Sequence, residues 1–223
     1  MRLVDESRQR GHWQRRRSYR DPRDPVARAF AEPKVRWLSE RLGIGADSSV
    51  LDVGAGNGMF TWWWCSSGAR VRGVELSQNM IERSPCRHLL VRADAYGLPF
   101  EDASFDLVFA GNVLHHLERP VDALREMKRV SRGAVGICEG NRNHPPMAGF
   151  GLVSSACRGV LAYSRGRLAE LAREAGLEVV AIRAHGYVYE NRSPRSSVAL
   201  AGWLEQRSPG GAYLLMAATS GSS

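Results

Sequence analysis

One stretch of the chain, residues 50–60 with the sequence VLDVGAGNGMF, constrains the fold more than any other. Its first four residues are mostly apolar and β-branched, which predicts a buried strand. Three glycines follow at alternate positions, Gly54, Gly56 and Gly58, before an apolar run that suits a helix. Glycine permits positive φ angles and lets a ligand lie against bare backbone, and the start of a helix presents unpaired N–H groups. The stretch therefore predicts either a ligand cradle at the carboxyl end of a strand or an ordinary strand-to-helix turn that needs glycine only for its geometry.

The rest of the chain alternates between strand and helix patterns. Predicted strands occupy residues 50–53, 70–75, 88–91, 105–110, 134–138, 177–182 and 213–218. Helix signals separate them, such as Pro120 at a helix start and Ser164 as an N-cap. We also expect a helix to begin at Pro25 and to break or kink at Pro33 before it ends at Gly43. Seven strands interleaved with helices predict an α/β protein with a doubly wound, mostly parallel sheet.

Length and composition fit one soluble domain. The 223 residues can bury a substantial core, and 43% hydrophobic with 24% charged residues is ordinary for a globular protein. No run of about 18 apolar residues predicts a membrane span, and the charged N-terminus does not resemble a secretory signal. The four cysteines are far apart and lack a CxxC pair, so we expect neither a zinc site nor a disulfide framework. These features predict reduced thiols, no bound metal and a cytoplasmic location.

Positive charge is concentrated near the N-terminus. Residues 1–36 contain eleven Arg or Lys side chains and five Asp or Glu side chains, and the whole chain has a net charge of +8. The expected organisation is an irregular basic arm at residues 1–24, a domain at 25–219 and a frayed tail at 220–223. The arm is either a solvated extension or an attachment for nucleic acid, an anionic membrane surface or an acidic substrate. Trp13 and Tyr19 favour packing of part of the arm on the domain or over a ligand, and a homodimer contact stays open.

Two carboxylates indicate the kind of ligand. Glu75 ends the second predicted strand, 17 residues after Gly58, where a doubly wound fold binds the ribose of a nucleotide-like cofactor. Asp52 lies inside an apolar strand, so it needs a partner such as a ligand ammonium or loop N–H groups. Dinucleotide sites prefer G-x-G-x-x-G, whereas here the third glycine comes one residue early. The spacing therefore argues against NAD and against a dehydrogenase.

Linked motifs in register give a specific resemblance. VLDVGAGNG, GVELSQNMI and ADAYGLPFEDASFDLVFAGNVLHHL together resemble the class I S-adenosylmethionine-dependent methyltransferases. Within that family the chain is most similar to the type 11 group, which contains the ubiquinone and menaquinone biosynthesis methyltransferases. The similarity covers about residues 50–139 and does not extend to the first 45 residues or to residues 140–163. The resemblance implies a Rossmann-like fold, S-adenosylmethionine as the cofactor and methyl transfer as the activity.

The resemblance also implies roles for individual cofactor-binding residues. Asp52 would act on the amino group of the methionine moiety, partly through water, beside the glycine loop. Glu75 would bind the ribose hydroxyls, and Leu76 would pack on the adenine. Asp94 would accept a hydrogen bond from the adenine amino group, and Asn112 would lie near the transferred methyl. The complete predicted cofactor set is Asp52, Gly54, Ala55, Gly56, Gly58, Glu75, Leu76, Asp94, Ala95 and Asn112.

His115 and His116 follow the fourth predicted strand, on the loop that faces the acceptor in this fold. Histidine titrates near neutrality and can act as a general base, although one of the pair commonly shapes the pocket without moving a proton. Methyl transfer from a sulfonium can also proceed through orientation alone. Residues 140–163 and 186–211 are either substrate-pocket insertions or loops and turns without ligand contact. We expect a small or mid-sized acceptor that reacts at oxygen, nitrogen or activated carbon.

Two other function classes stay open at this point. The basic arm, with its interleaved aromatics, allows a methyltransferase that binds nucleic acid. Against methylation of nucleic-acid bases, residues 111–114 read GNVL, where enzymes resembling that class carry an Asn/Asp-Pro-Pro-aromatic tetrad. A domain that binds the cofactor without catalysis is the other interpretation.

Overall fold

Seven strands form one sheet in this computed structural model, which describes residues 4–15, 19–207 and 210–220. The strands are β1 (Ser49–Val53), β2 (Arg70–Glu75), β3 (Leu90–Arg92), β4 (Phe105–Gly111), β5 (Ser131–Gly140), β6 (Glu178–His185) and β7 (Tyr213–Thr219). Their order across the sheet is β3-β2-β1-β4-β5-β7-β6. Strands β1 to β5 run parallel, and β7 lies antiparallel to both of its neighbours. This arrangement confirms the predicted doubly wound, mostly parallel sheet.

The strand order changes direction at β1. This strand pairs with β2 on one side and with β4 on the other, so the two halves of the sheet are built outward from it. Ligands of open parallel sheets bind in the crevice beyond the strand ends at such a switch point. The glycine stretch occupies this position because it directly follows Val53, the last residue of β1.

Helices cover both faces of the sheet. The described helices are α1 (Glu6–Arg15), α2 (Pro25–Leu42), α3 (Met59–Ser66), α4 (Gln78–Arg83), α5 (Pro120–Val130), α6 (Pro145–Val153), α7 (Arg165–Glu174) and α8 (Val198–Arg207). On one face α2 and α3 pack against the sheet around Phe30, Trp64 and Phe109. On the other face α5 and α7 pack around Leu124 and Leu168. Burial of these apolar side chains is the main force that holds the layers together.

Helix α2 follows its predicted ends but not the predicted break. Asp24 caps it by accepting a hydrogen bond from a first-turn N–H at 2.8 Å, and Gly43 ends it with a φ of 65°. The helix nevertheless continues through Pro33. Proline removes one backbone hydrogen bond, but the fully buried Phe30 and Leu38 hold the turns on both sides of it in the core. The expectation of a break is therefore wrong, because packing outweighs the local cost.

The N-terminal arm contains a helix where the sequence predicts none. Helix α1 has the sequence ESRQRGHWQR, which lacks an apolar stripe and includes Gly11. Local propensity alone does not favour a helix there. Contacts with the domain hold it instead, since the Gln9 side chain donates a hydrogen bond to the carbonyl of Ala156 at 2.8 Å. The prediction of an irregular arm is therefore wrong over this segment.

The segment after β5 is helical. Helix α6 leads into a 3₁₀ segment, Ser155–Ala162, which packs over the end of β5. Among the described residues, no helix has the length and apolar character needed to cross a membrane, and no group of three His, Cys, Asp or Glu side chains is arranged to hold a metal ion.

Candidate functional site

The three glycines turn the chain from β1 into α3 through left-handed backbone. Their φ angles are 68° at Gly54, 58° at Gly56 and 81° at Gly58, which residues with a side chain rarely adopt. A β-carbon at Gly54 would also overlap the side chain of Val113, and one at Gly58 would overlap Ser84. Both the turn and the close packing therefore require glycine, and the loop presents bare backbone at the end of β1.

Glu75 connects the end of β2 to this loop. One carboxylate oxygen accepts a hydrogen bond from the Gly56 N–H at 2.9 Å, and the other accepts from the Ser77 N–H at 2.7 Å. Burial raises the pKa of the Glu75 carboxyl, although the N–H donors oppose this shift. Each carboxylate oxygen can accept more than one hydrogen bond. Glu75 can therefore hold the glycine loop and still bind ligand hydroxyls.

Asp52 is buried inside β1, with 1% of its surface exposed. Its carboxylate accepts a hydrogen bond from Thr61 Oγ1 in α3 at 2.7 Å, a partner that the sequence did not reveal. Burial raises the pKa of Asp52 to about 7 and outweighs the opposing effect of Thr61. An ammonium group in the adjoining cavity would favour the ionised form of this carboxylate.

Two further predicted residues follow β3 and β4. The Asp94 carboxylate accepts a hydrogen bond from the Tyr96 N–H at 3.1 Å. Asn112 has a φ of 58°, and its N–H donates to the carbonyl of Cys138 at 2.7 Å. Asparagine tolerates the left-handed conformation better than most residues. The turn at Asn112 leads into the loop that brings His115 to the cavity.

A cavity of about 750 Å³ brings the predicted residues together. Eleven of the twelve line it: Asp52, Gly54, Ala55, Gly56, Glu75, Leu76, Asp94, Ala95, Asn112, His115 and His116. Gly58 is the exception, because it starts α3 and packs against Ser84 and Cys86. The volume is in the range that holds a cofactor or a drug-sized ligand.

The cavity also has a mostly apolar part, which we call the aromatic chamber. Its walls are Phe60, Met147, Phe150, Val160, Tyr189 and Tyr213. Residues 140–163 supply three of these side chains, and residues 186–211 supply Tyr189. Arg192 lies at the same wall, with its guanidinium 4.3 Å from the centre of the Phe150 ring. Tyr187, in contrast, packs against His144 with ring centroids 5.6 Å apart.

Helix α1 lies against the cavity and covers part of it. Glu6 accepts a hydrogen bond from the Glu118 N–H at 2.8 Å and pairs with the Tyr96 hydroxyl. The Trp13 ring packs edge-on against His116 with centroids 5.1 Å apart. Sequence reasoning singled out Trp13 but missed Glu6 and Tyr96, because their contact joins residues 90 positions apart.

His115 is buried and paired with Glu139 on β5. Its Nδ1 lies 2.6 Å from one Glu139 oxygen, and the other oxygen accepts from the Leu114 N–H at 2.7 Å. Burial lowers the pKa of His115, but the nearby Glu139 carboxylate outweighs burial, and the pKa rises to about 10. The pairing with Glu139 therefore favours the charged imidazolium form of the ring, which donates hydrogen bonds. The assignment of His115 and His116 as catalytic residues stays a prediction.

The residues present fit S-adenosylmethionine. Its ammonium, ribose hydroxyls and adenine amino group are hydrogen-bond donors, and Asp52, Glu75 and Asp94 offer three carboxylate acceptors in one cavity. The bare backbone at Gly54 and Gly56 allows a ligand to approach where a β-carbon would obstruct it. The residues of the site therefore match the predicted cofactor in their hydrogen-bonding chemistry.

Comparisons with known proteins agree with this geometry. Residues 51–135 match the family model described as a methyltransferase domain. Methyltransferase GfsG of Streptomyces halstedii is 38% identical over 119 residues, which are 49% of this chain and 42% of that protein. A demethylmenaquinone methyltransferase of Mycobacterium sp. (strain JLS) is 38% identical over 101 residues, 44% of each protein. The chain thus spans less than half the length of the curated relatives it matches.

A solved structure has a similar fold over most of its length. The S-adenosylmethionine-dependent methyltransferase from Aquifex aeolicus superimposes with a TM-score of 0.63 at 15% identity, covering 98% of this chain and 100% of that one. Together with the family match, it confirms the predicted Rossmann-like methyltransferase fold. Residues 51–135 are thus similar to the methyltransferase domain family, and the rest of the chain lies outside that match.

Proposed function

We propose that this protein transfers a methyl group from S-adenosylmethionine to a small or mid-sized metabolite, at an oxygen, nitrogen or activated carbon atom. One observation carries the proposal: the glycine cradle and the aromatic chamber are parts of a single cavity. A cofactor in the cradle and an acceptor in the chamber would therefore lie next to each other in one cavity.

The cradle residues bind and orient the cofactor in this proposal. Asp52 holds the ammonium of the methionine moiety, Glu75 the ribose hydroxyls and Asp94 the adenine amino group. Charged hydrogen bonds of this kind contribute about 1.5–3 kcal/mol each. Leu76 and Ala95 pack on the adenine, and Asn112 lies near the sulfonium end. When bound, S-adenosylmethionine supplies an electrophilic methyl group on sulfur.

The aromatic chamber and α1 position the acceptor and exclude water. Residues 140–163 and 186–211 act as substrate-pocket insertions, because they supply Met147, Phe150 and Tyr189 to the walls. Their apolar character suits an acceptor with an aromatic or aliphatic body. Holding two reactants in a reactive geometry can contribute about 7–11 kcal/mol to catalysis. Orientation in this chamber can therefore support methyl transfer without a catalytic base.

A nucleic-acid acceptor is less well supported. Arg20 pairs with Asp24 at 3.0 Å, Arg23 with Asp21 at 2.6 Å, and Arg28 with Glu32 at 2.9 Å. Carboxylates of the same segment therefore neutralise part of the positive charge that suggests such a partner. The helix of the arm, α1, lies on the cavity.

Transfer of a labelled methyl group tests the proposal. The full-length protein is incubated with methyl-labelled S-adenosylmethionine and separate pools of phenols, amines, carboxylic acids and oligonucleotides. We expect label in a small-molecule pool, with a mass increase of one methylene on the product. Label only in the oligonucleotides would overturn the choice of acceptor. Cofactor binding without transfer to any pool would favour the non-catalytic interpretation.

A further inference from the structure

One face of helix α1 forms part of the cavity wall. Glu6, Gln9 and Trp13 follow one another at spacings of three and four residues, so they lie on the same side of the helix. All three line the cavity. Helix α1 therefore contributes side chains to the site in addition to covering it.

Contacts at both ends of this face hold the helix on the domain. Near its start, the Glu6 carboxylate accepts a hydrogen bond from the Glu118 N–H at 2.8 Å. Near its end, the Trp13 ring packs against His116 with centroids 5.1 Å apart. Because Gln9 lies between these two anchors, its side chain has a defined place in the wall.

The side-chain amide of Gln9 is satisfied at its nitrogen and not at its oxygen. Nε2 donates a hydrogen bond to the carbonyl of Ala156 at 2.8 Å. A backbone carbonyl can only accept, so this contact assigns the nitrogen to Ala156 and directs Oε1 away from it. Gln9 has 7% of its surface exposed, and Oε1 is buried without a hydrogen-bond partner among the residues that the structure describes.

A buried acceptor of this kind indicates a ligand that donates a hydrogen bond. Leaving such an oxygen unpaired is unfavourable, and most buried polar groups in proteins have a partner. In the proposed function, Asp52, Glu75 and Asp94 already accept from the donor groups of S-adenosylmethionine. The donor for Gln9 therefore belongs to the other molecule in the cavity, which is the methyl acceptor.

The position of Gln9 agrees with this assignment. Its partner Ala156 belongs to the Ser155–Ala162 segment, which also supplies Val160 to the aromatic chamber. The amide is thus fixed to the same segment that forms one wall of the chamber. In a mostly apolar pocket, a few placed polar groups determine how a ligand is oriented.

We propose that Gln9 is a specificity-determining residue of the acceptor site, whose Oε1 accepts a hydrogen bond from the hydroxyl or amino group of a phenol or an aromatic amine. The inference rests on the proposed function, since it takes the chamber as the place of the acceptor. The ring of such an acceptor packs on the apolar walls, and its donor group pairs with Gln9. An analogue without the donor leaves Oε1 buried and unpaired, so it binds less well.

Binding of matched probes to the full-length protein tests the proposal. The probes are 4-ethylphenol and 4-ethylaniline, which carry a donor, and 4-ethyltoluene, which has a methyl group of similar size at that position. Dissociation constants are measured by ligand-observed NMR with S-adenosylhomocysteine present, so that no methyl transfer is required. The quantity compared between proteins is the dissociation constant of 4-ethyltoluene divided by that of each donor probe.

The variant Gln9→Met keeps the side-chain length and removes the oxygen. We expect it to lower both ratios about tenfold relative to the unsubstituted protein, which corresponds to the loss of one hydrogen bond at a buried acceptor. Hydration of the free probes is the same in both measurements, so it cancels in this comparison. The control Gln78→Met makes the same change at an exposed position on α4 and should leave the ratios unchanged.

The ratios separate recognition by Gln9 from a structural role of α1. A helix that is merely loosened by Gln9→Met weakens all three probes alike and leaves the ratios unchanged, which would overturn the proposal. Failure of all three probes to bind the unsubstituted protein would also overturn it. If the ratios change as expected but no labelled methyl group reaches any acceptor pool, the assignment of Gln9 holds and the proposed methyl transfer fails.

Discussion

Substitution of Glu75 separates its structural role from its role in binding. Its two carboxylate oxygens accept N–H donors from Gly56 and Ser77. Glu75→Ala leaves both partly buried N–H groups without this acceptor, at a cost of up to about 1–3 kcal/mol each and less where water replaces the carboxylate. Glu75→Gln keeps one oxygen acceptor and the side-chain volume but loses the charge. We therefore expect the free energy of unfolding to decrease more for the Ala variant than for the Gln variant.

Cofactor binding should decrease in both Glu75 variants. Loss of one charged hydrogen bond to a ribose hydroxyl costs about 1.5–3 kcal/mol, which corresponds to about 10- to 100-fold in affinity. Urea denaturation measures stability, and calorimetry with S-adenosylhomocysteine measures affinity. Glu40→Ala, on the exposed side of α2, is the control and should change neither. If both Glu75 variants bind within twofold of the unsubstituted protein, the carboxylate serves only to hold the glycine loop.

Three further predictions test the cradle, its buried carboxylate and its cover. Gly54→Ala should lower both stability and cofactor affinity, because the added β-carbon would overlap Val113. The control Gly43→Ala strains a similar φ in open space and should lower stability alone. Equal cofactor affinity in the two variants would contradict the cradle. The pKa of Asp52 is about 7 in the folded protein, against an ordinary value of 3.8. Between these two values the folded protein keeps the Asp52 carboxyl protonated, whereas the unfolded chain has already lost that proton. Stability should therefore decrease by up to about 1.4 kcal/mol per pH unit as pH rises from 4 to 7, relative to Asp52→Asn, when both are followed by urea denaturation; parallel pH profiles would contradict the assignment. Trp13→Ala should loosen helix α1 from the cavity and accelerate dissociation of S-adenosylhomocysteine about fivefold, as measured by stopped-flow fluorescence. The control Trp203→Ala, at a half-exposed position on α8, should leave the dissociation rate unchanged. Equal rates in the two variants would mean that α1 does not retain the ligand.

The cradle could be predicted from the sequence because its determinants are local. Three glycines after an apolar strand require particular backbone angles, and Glu75 follows at a spacing set by one helix and one strand. The fold class was predictable for the same reason, since each strand carries its own apolar pattern. The seven strands of the sheet follow from these patterns.

Features that depend on distant contacts could not be predicted. Helix α1 has no apolar period, and it forms because Gln9 and Trp13 contact residues more than 100 positions away. The pairing of His115 with Glu139 depends on the adjacency of β4 and β5, which the sequence suggests only in outline. Pro33 illustrates the opposite case, since a strong local signal for a break is outweighed by the packing of α2.

The most direct test of the central claim is a calorimetric titration of the full-length protein with S-adenosylmethionine, with S-adenosylhomocysteine and with NADH as control. The account predicts micromolar binding of the first two at one site per chain and no binding of NADH. A folded sample that binds neither sulfur compound, or that binds NADH instead, would contradict it.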